Sequence, residues 1–315
     1  MSRPNNGAVA GHVAMLAFSA LVAGSFALGG LVANEIAPMA ITSLRFLLAS
    51  TLVGIAALVM GKLHRRDARA PWRYGVLGGL IASYMVLMFE GLKTAPPVSA
   101  AAVFTLTPAI AALFGWIVLR QITTGRMALA ITIGGLGAIW VIFRADIPAI
   151  LAFQIGKGEM IYFVGCVAHA VYAALIPRLN RGEAPVTFTF GTLVMGTLIV
   201  AGFGWSDIMA TQWGNLPMIV WITLGYITVF ATAATFVLIQ FAALRLPAAK
   251  VMAYTYLVPS WVILWEIALG GALPPVAILA GLGLIVMALL LLLRNDSDVS
   301  PQAILSPETA QTLPD

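Results

Sequence analysis

The chain has 315 residues, of which 61% are hydrophobic and only 9% are charged, with a formal net charge of +5. Ordinary soluble domains carry about 25% charged residues, so this composition excludes a soluble protein and indicates a helical membrane protein. The single cysteine, Cys166, excludes a disulfide framework. The basic residues lie scattered between apolar segments and form no patch for nucleic acid.

Apolar segments of about 20 residues follow one another along the chain, and each is long enough to cross the hydrocarbon core as a helix. The sequence predicts an all-α integral membrane protein with ten transmembrane helices, at approximately 12–33, 37–60, 74–92, 96–119, 125–143, 158–178, 185–203, 216–241, 247–270 and 275–293. We expect residues 1–11 to form a polar leader and residues 294–315 a disordered, polar cytoplasmic tail.

The basic residues favour one orientation of these spans. If both termini lie inside, the inner segments hold thirteen of the 17 lysines and arginines, including those of the loop KLHRRDARAPWR at 62–73. Loops on the cytoplasmic side of membrane proteins are enriched in lysine and arginine. We therefore expect both termini in the cytoplasm.

Landmarks in the first half of the chain recur in the second half. Pro38 and Pro185 begin spans 2 and 7, and Pro108 and Pro259 lie inside spans 4 and 9. Two further matches are FEGLK with FAALR and GLG with GLG, and all four offsets lie between 146 and 152 residues.

The recurrence predicts two five-helix repeats, 12–143 and 158–293, joined by a linker at 144–157. Because five is odd, the second repeat enters the membrane from the opposite side, as in secondary transporters whose substrate sites lie near the midplane.

The prolines inside spans 4 and 9, Pro108 and Pro259, each remove a backbone hydrogen bond and free a carbonyl. At membrane depth a free carbonyl is tolerated only against protein or a water-filled cavity. Two interpretations stay open at this point: the breaks line a substrate pathway, or the prolines only kink their helices for packing.

The two five-span halves, the L-x-P pattern at 106–108 and 257–259, and the segment PMAITSLRFLLAS at 38–50 resemble the drug/metabolite transporter superfamily, in particular its EamA-type exporters. The resemblance covers residues 12–293. It implies export of small metabolites, amino acids among them, through a central cavity in the bacterial inner membrane. Many members carry a glutamate thirteen residues after the mid-helix proline, where this chain has Gln121 and Ala272. Any capping or coupling role of that glutamate is absent or moved here.

Ionisable side chains inside the membrane are costly, so each is a candidate functional residue. His169 lies near the midplane with Tyr172 on the same helix face, and it either contacts substrate and relays a proton or is a neutral histidine bonded to a neighbouring helix. We expect Arg45 to pair with Glu90 or Glu266 near the outer surface. Such a pair would gate the outer mouth or hold spans 2, 3 and 9 together.

Deep aromatic and hydroxyl side chains complete the expected substrate site, although packing against neighbouring helices is the alternative role for each. They are Ser25, Tyr84, Phe104, Thr105, Tyr254, Tyr256 and Trp261.

The chain has no phosphate-binding loop and no cysteine–histidine cluster, so we expect no ATP, metal or other cofactor and no enzymatic activity.

These observations predict a secondary transporter that exports a small polar metabolite, with an amino acid or derivative as the leading expectation. The alternatives are an exporter of lipophilic cations or drugs and, in another class, a non-transporting membrane enzyme or assembly factor. The expected partners are the solute, the lipid bilayer and protons, but no nucleic acid. A monomer and a homodimer both stay open.

Overall fold

A computed structural model describes residues 6–120, 124–152, 155–271 and 275–293, and every regular element within these ranges is a helix. Nine of its segments are long and apolar enough to cross a membrane. They are span 1 (Gly7–Val32), span 2 (Pro38–Val59), span 3 (Trp72–Leu92), span 4 (Pro97–Val118), span 5 (Gly125–Ile142), span 6 (Lys157–Leu179), span 7 (Pro185–Phe203), span 8 (Met218–Ala243) and span 9 (Lys250–Ala268).

The last expected span corresponds to a further apolar helix, Val276–Leu293, which we call span 10. Short helices occupy some of the connections, at Arg65–Ala68, Ile147–Leu151, Trp205–Ala210 and Trp213–Asn215. The all-helical membrane architecture is thus confirmed, with nine candidate spans in the described part of the chain.

The first helix begins earlier than the sequence analysis expects. It starts at Asn6, inside the expected leader, because alanine and valine at 8–10 continue the apolar run of span 1 towards the N-terminus. The expected tail at 294–315 and the two positions of the family glutamate, Gln121 and Ala272, lie outside the described residues.

Spans 4 and 9 are both interrupted beside their prolines, as the sequence predicts. Span 4 consists of the helices Pro97–Phe104 and Thr107–Leu119. The carbonyl that loses its partner at Pro108 belongs to Phe104, and the Thr107 hydroxyl donates to it at 2.6 Å. In span 9, a 3₁₀ turn at Tyr254–Leu257 precedes the helix Val258–Ala268. The two breaks touch, since the hydroxyls of Thr107 and Thr255 lie 3.1 Å apart.

Span 8 contains a π-helix at Val229–Ala234. A π-helix widens one turn of the backbone, and such turns occur frequently at functional sites. The Thr232 hydroxyl donates to the carbonyl of Ile227 at 2.7 Å, which stabilises this wide turn from within.

Glycines bring three pairs of spans into backbone contact. A Cβ on Gly137 of span 5 would lie 2.7 Å from the carbonyl oxygen of Gly281 in span 10. The pairs Gly78–Gly196 and Gly91–Gly158 join span 3 to spans 7 and 6 in the same way. A Cβ on Gly78 would lie 2.6 Å from the nitrogen of Gly196, and a Cβ on Gly158 would lie 2.3 Å from the carbonyl oxygen of Gly91. Small residues are the usual means of close helix packing in lipid.

We expect Gly137→Leu to lower the free energy of unfolding by about 1–3 kcal/mol, because the new side chain overlaps the backbone of span 10. The matched control is Gly135→Leu, since a Cβ on Gly135 meets nothing within 4 Å. Thermal unfolding of the two detergent-purified variants provides the comparison. Equal stability of the two variants would contradict this account of the contact.

Candidate functional site

Spans 1, 3, 6 and 8 enclose a cavity at membrane depth, within which the space not filled by atoms is about 330 Å³. The room left within it amounts to about one water molecule, so the cavity is narrow in this structure. The lining combines aromatic, methionine and hydroxyl side chains: Phe18, Val22, Ser25, Ile81, Tyr84, Met85, Met88, His169, Tyr172, Ala231, Thr235, Phe236 and Ile239.

His169 lies at the centre of an aromatic cluster and is 3% exposed. Its ring stacks on Tyr84 with centroids 4.4 Å apart and on Phe104 with centroids 5.2 Å apart. The Nδ1 atom is buried and has no hydrogen-bond partner among the described residues. One alternative from the sequence analysis was a neutral histidine bonded to a neighbouring helix. The described contacts include no such hydrogen bond at Nδ1.

The two cavity tyrosines have partners that the sequence analysis did not single out. The Tyr162 hydroxyl donates to the Tyr84 hydroxyl at 3.1 Å, and the Gln240 side-chain amide donates to the Tyr172 hydroxyl at 2.9 Å. Tyr162 lies two turns before His169 on the same helix face, a spacing that could have identified it. Gln240 is an uncharged polar residue within span 8, and the search for ionisable groups passed over it.

The structure therefore brings together Ser25, Tyr84, His169 and Tyr172 in the cavity lining, and Phe104 lies directly behind Tyr84 and His169. Two strong contributors to the wall, Phe18 and Phe236, come from spans 1 and 8 and carry no polar atom. Nothing distinguishes them by sequence from ordinary lipid-facing phenylalanines.

The other expected aromatic and hydroxyl residues lie outside this cavity. Thr105 donates to the carbonyl of Ala102 at 2.6 Å and so serves the helix break. Tyr254 is hydrogen bonded to Nδ1 of His12 at 3.0 Å. Tyr256 packs over Gly134 in a smaller apolar cluster against spans 5 and 10.

Trp261 packs against the edge of the main core, and its buried indole nitrogen has no hydrogen-bond partner among the described residues. Spans 4 and 9 contact each other, and none of their expected side chains is among the residues that line the cavity.

Arg45 forms a contact different from the expected ion pair. Its side chain is fully buried, and Nε donates to the Thr232 hydroxyl while Nη2 donates to the carbonyl of Ala231 at 2.8 Å. Arg45 therefore binds the π-helix of span 8, where the wide turn exposes a carbonyl. No acidic side chain in the described part of the chain pairs with it.

The two glutamates of the expected pair lie near the surface instead. Glu90 accepts from Nζ of Lys93 at 2.7 Å, three residues along the same chain, with both side chains partly exposed. Glu266 is half-buried near the end of span 9 and forms no ion pair with another described residue. Lys93 is the nearer cation, which explains why Glu90 does not reach the buried guanidinium.

A buried ion pair joins the two halves of the chain at the end of the bundle that carries most basic residues, which we call the basic end. Nη2 of Arg73, at the start of span 3, donates to Glu183 at 2.7 Å, and the two side chains are 2% and 4% exposed. Nη1 of Arg73 also donates to the carbonyl of Leu179 at 2.6 Å, at the end of span 6. The sequence analysis counted Arg73 only as an orientation signal.

A second polar contact joins the halves at the opposite end. The Ser99 hydroxyl at the start of span 4 donates to Oε1 of Glu159 at 2.8 Å, at the start of span 6. Glu159 is 7% exposed, and its Oε2 has no partner among the described residues. Tyr84 and His169 lie about 15 Å along their helices from Arg73 and Glu159 respectively, so the cavity lies between the two contacts.

The fold and this site define a class: a polytopic helical membrane protein whose described spans enclose a cavity, with polar contacts between its halves towards either end of the bundle. The chain belongs to the EamA-like transporter family, because the sequence model of that family matches residues 9–143 and again residues 156–294. The family and the names of the relatives indicate a transporter rather than an enzyme.

Two relatives carry the description "uncharacterized transporter". YyaM of Bacillus subtilis is 26% identical over 263 residues, which cover 82% of this chain and 86% of that protein. A protein of Archaeoglobus fulgidus is 26% identical over 184 residues, covering 58% of this chain and 63% of the relative. One solved crystal structure superposes with a TM-score of 0.71 at 20% identity over 92% of this chain and 98% of its own, which shows that the fold is shared.

The ion pair at the basic end predicts a pH-dependent stability. Burial raises the pKa of the Glu183 carboxyl. Hydrogen bonds from Arg73 and from the Arg181 backbone together lower this pKa by more than burial raises it, so the pKa lies below its ordinary value. A carboxyl with a depressed pKa stabilises the fold above its unfolded pKa, and this contribution is lost as pH falls through the folded pKa.

We expect Glu183→Gln to lower the free energy of unfolding by roughly 3 kcal/mol at neutral pH, because it leaves Arg73 buried without a counter-charge. The difference from wild type should shrink as the pH falls below about 4. Glu90→Gln is the control, and since its pair is exposed we expect a loss below about 1 kcal/mol. A gap that widens in acid would contradict the assignment.

Proposed function

We propose that this protein is a secondary transporter that exports a small polar metabolite, an amino acid or derivative being the leading class, across the bacterial inner membrane. The observation that carries the proposal is the cavity between spans 1, 3, 6 and 8, with His169, Tyr84, Tyr172 and Ser25 in its lining. A few polar groups among aromatic walls are typical of sites for small organic solutes. Transport proceeds by alternating access, in which one end of the bundle opens while the other stays closed.

The two halves are inverted repeats that move relative to each other in this proposal. The family model matches the chain twice. Each span of the first half corresponds to the span numbered five higher in the second half, and contacts between spans recur between the corresponding spans. Span 3 packs on span 6 as span 8 packs on span 1, while spans 2 and 7 pack on each other, as do spans 5 and 10. Inverted repeats of this kind allow one structure to open to either side.

The proposed gates are the two polar contacts between the halves. Opening the basic end separates Arg73 from Glu183, and opening the opposite end separates Ser99 from Glu159. The abundance of basic residues at the first end supports placing it, with both termini, in the cytoplasm.

The aromatic lining also suits an organic cation, which stacks favourably on such rings. Two observations favour the polar metabolite. The residues that line the cavity include no acid, and the charge of Arg45 lies directly behind the wall residue Ala231. A fixed positive charge there repels a cationic solute.

The first test is untargeted mass spectrometry of the medium around cells that overproduce the protein. We expect one compound class to accumulate outside with wild type and to fall at least about tenfold with His169→Ala, because the mutation removes the central ring of the site. His64→Ala is the matched control, since that histidine lies in the loop before span 3 and is exposed. Equal media from all three strains, at equal membrane expression, would contradict export of any compound that the host produces.

A second test addresses proton coupling through His169. If the imidazole relays protons, the rate of solute counterflow in proteoliposomes should vary with pH between about 5 and 8 in wild type. Substitution with glutamine keeps the size and polarity of the side chain but cannot titrate. A pH profile that is unchanged in His169→Gln would show that His169 does not carry the proton.

A further inference from the structure

Buried polar atoms without partners are concentrated on spans 2 and 8. Of the ten such side-chain atoms among the described residues, seven belong to these two spans. They include Nη1 of Arg45 and the hydroxyls of Thr42, Thr228 and Thr235. Threonines inside helices usually bond to the carbonyl one turn earlier, as Thr192 and Thr197 do here. The hydroxyls of Thr42, Thr228 and Thr235 do not make that bond.

Arg45 is the strongest member of this group, because a guanidinium stays protonated in proteins. Its side chain is completely buried, and its two described partners, the Thr232 hydroxyl and the Ala231 carbonyl, are both neutral. A buried charge with neutral partners and an Nη1 amino group without a described partner is an expensive arrangement at membrane depth. An anion would supply the missing partner.

The π-helix places this charge at the wall of the central cavity. Ala231 lines the cavity, and its carbonyl accepts the hydrogen bond from Arg45. One turn further along span 8, Thr235 also lines the cavity and keeps a free hydroxyl. The residue that Arg45 binds and the free hydroxyl of Thr235 therefore lie on the same stretch of span 8 at the cavity wall.

The corresponding helix pair in the other half has no arginine. At the offset of 147 that relates Pro38 to Pro185, Arg45 corresponds to Thr192 of span 7. The Thr192 carbonyl faces Gly78 of span 3, 2.9 Å from where a Cβ on that glycine would lie, and its hydroxyl bonds to its own helix. This pair packs without a buried charge, so the helix contact alone does not require one.

We propose that Arg45, together with the Thr235 hydroxyl, binds the carboxylate of the transported solute. The inference rests on the proposed transport function and narrows it to solutes that carry a carboxylate. A single guanidinium matches one carboxylate in charge, and a charge-assisted hydrogen bond to it is stronger than a bond between neutral groups. Arg45 is thus a residue for substrate specificity, and its contact with the π-helix orients it.

The test uses the full chain in detergent and small probes that carry only the functional group in question. We expect about 100 mM acetate to raise the Tm by about 3 °C over chloride at equal ionic strength, since it stabilises the state that binds it. Acetamide has nearly the same shape but no charge, and it should have no effect. A wild-type protein that responds alike to acetate, acetamide and chloride would overturn the proposal.

Variants distinguish two roles of Arg45, acetate binding and stabilisation of the π-helix. Arg45→Met should abolish the acetate response, and Arg45→Lys should weaken acetate binding at least about tenfold because it loses the planar fork of donors. Arg245→Met removes a charge at the basic end, where Arg245 covers Phe241, and should keep the full response. If Arg45→Met retains the acetate response, the assignment is wrong even where its Tm without acetate is lower.

Thr235→Val is the variant to use if Arg45→Met does not fold, because it leaves every described bond of Arg45 in place. We expect it to weaken acetate binding about fivefold through loss of one hydrogen bond. An unchanged affinity would remove Thr235 from the site.

The two proposals fail separately. Export of a neutral compound or a cation, with no acetate response, would overturn the carboxylate site and leave the transporter proposal standing. An acetate response that depends on Arg45, without any exported compound, would support the carboxylate site and contradict the transporter proposal.

Discussion

Hydrocarbon offers no hydrogen bonds, so each polar atom that this chain carries into the membrane depends on the protein for its partner. The Phe104 carbonyl, left free by Pro108, is satisfied by Thr107, and the Ala231 carbonyl in the π-helix is satisfied by Arg45. The partners of Tyr84 and Tyr172 come from neighbouring spans in the same way. Irregular backbone is therefore confined to places where a side chain can complete it.

Three exceptions to this rule lie in or behind the cavity wall. Nδ1 of His169, Nη1 of Arg45 and the Thr235 hydroxyl are all buried and unsatisfied among the described residues. An unsatisfied buried polar group costs about 1–3 kcal/mol, and more when it is charged. A solute with complementary atoms can form the hydrogen bonds that these groups lack in the folded protein. The atoms that weaken the fold are therefore the ones suited to recognition.

Two kinds of contact hold the halves together: close backbone packing at glycines and polar contacts between side chains. Glycine pairs join span 3 to spans 6 and 7, and they leave no side chain between the backbones. In the proposed cycle, the polar contacts at the two ends, Arg73 with Glu183 and Ser99 with Glu159, are the proposed gates. Hydrogen-bonded pairs can exchange partners with water when an end opens, whereas glycine contacts have no such substitute.

The sequence by itself determined the membrane class, the positions of the spans and the breaks at Pro108 and Pro259, because hydrophobic length and the missing proline N–H are local properties. It also pointed to His169 and Arg45, since an ionisable residue within an apolar run stands out in one dimension. Tertiary structure alone decided the partners. Arg45 binds span 8, 186 residues away in sequence, and Tyr254 and Tyr256 fill contacts outside the cavity. Which face of each helix meets which neighbour depends on packing between distant segments, and no local pattern contains that choice.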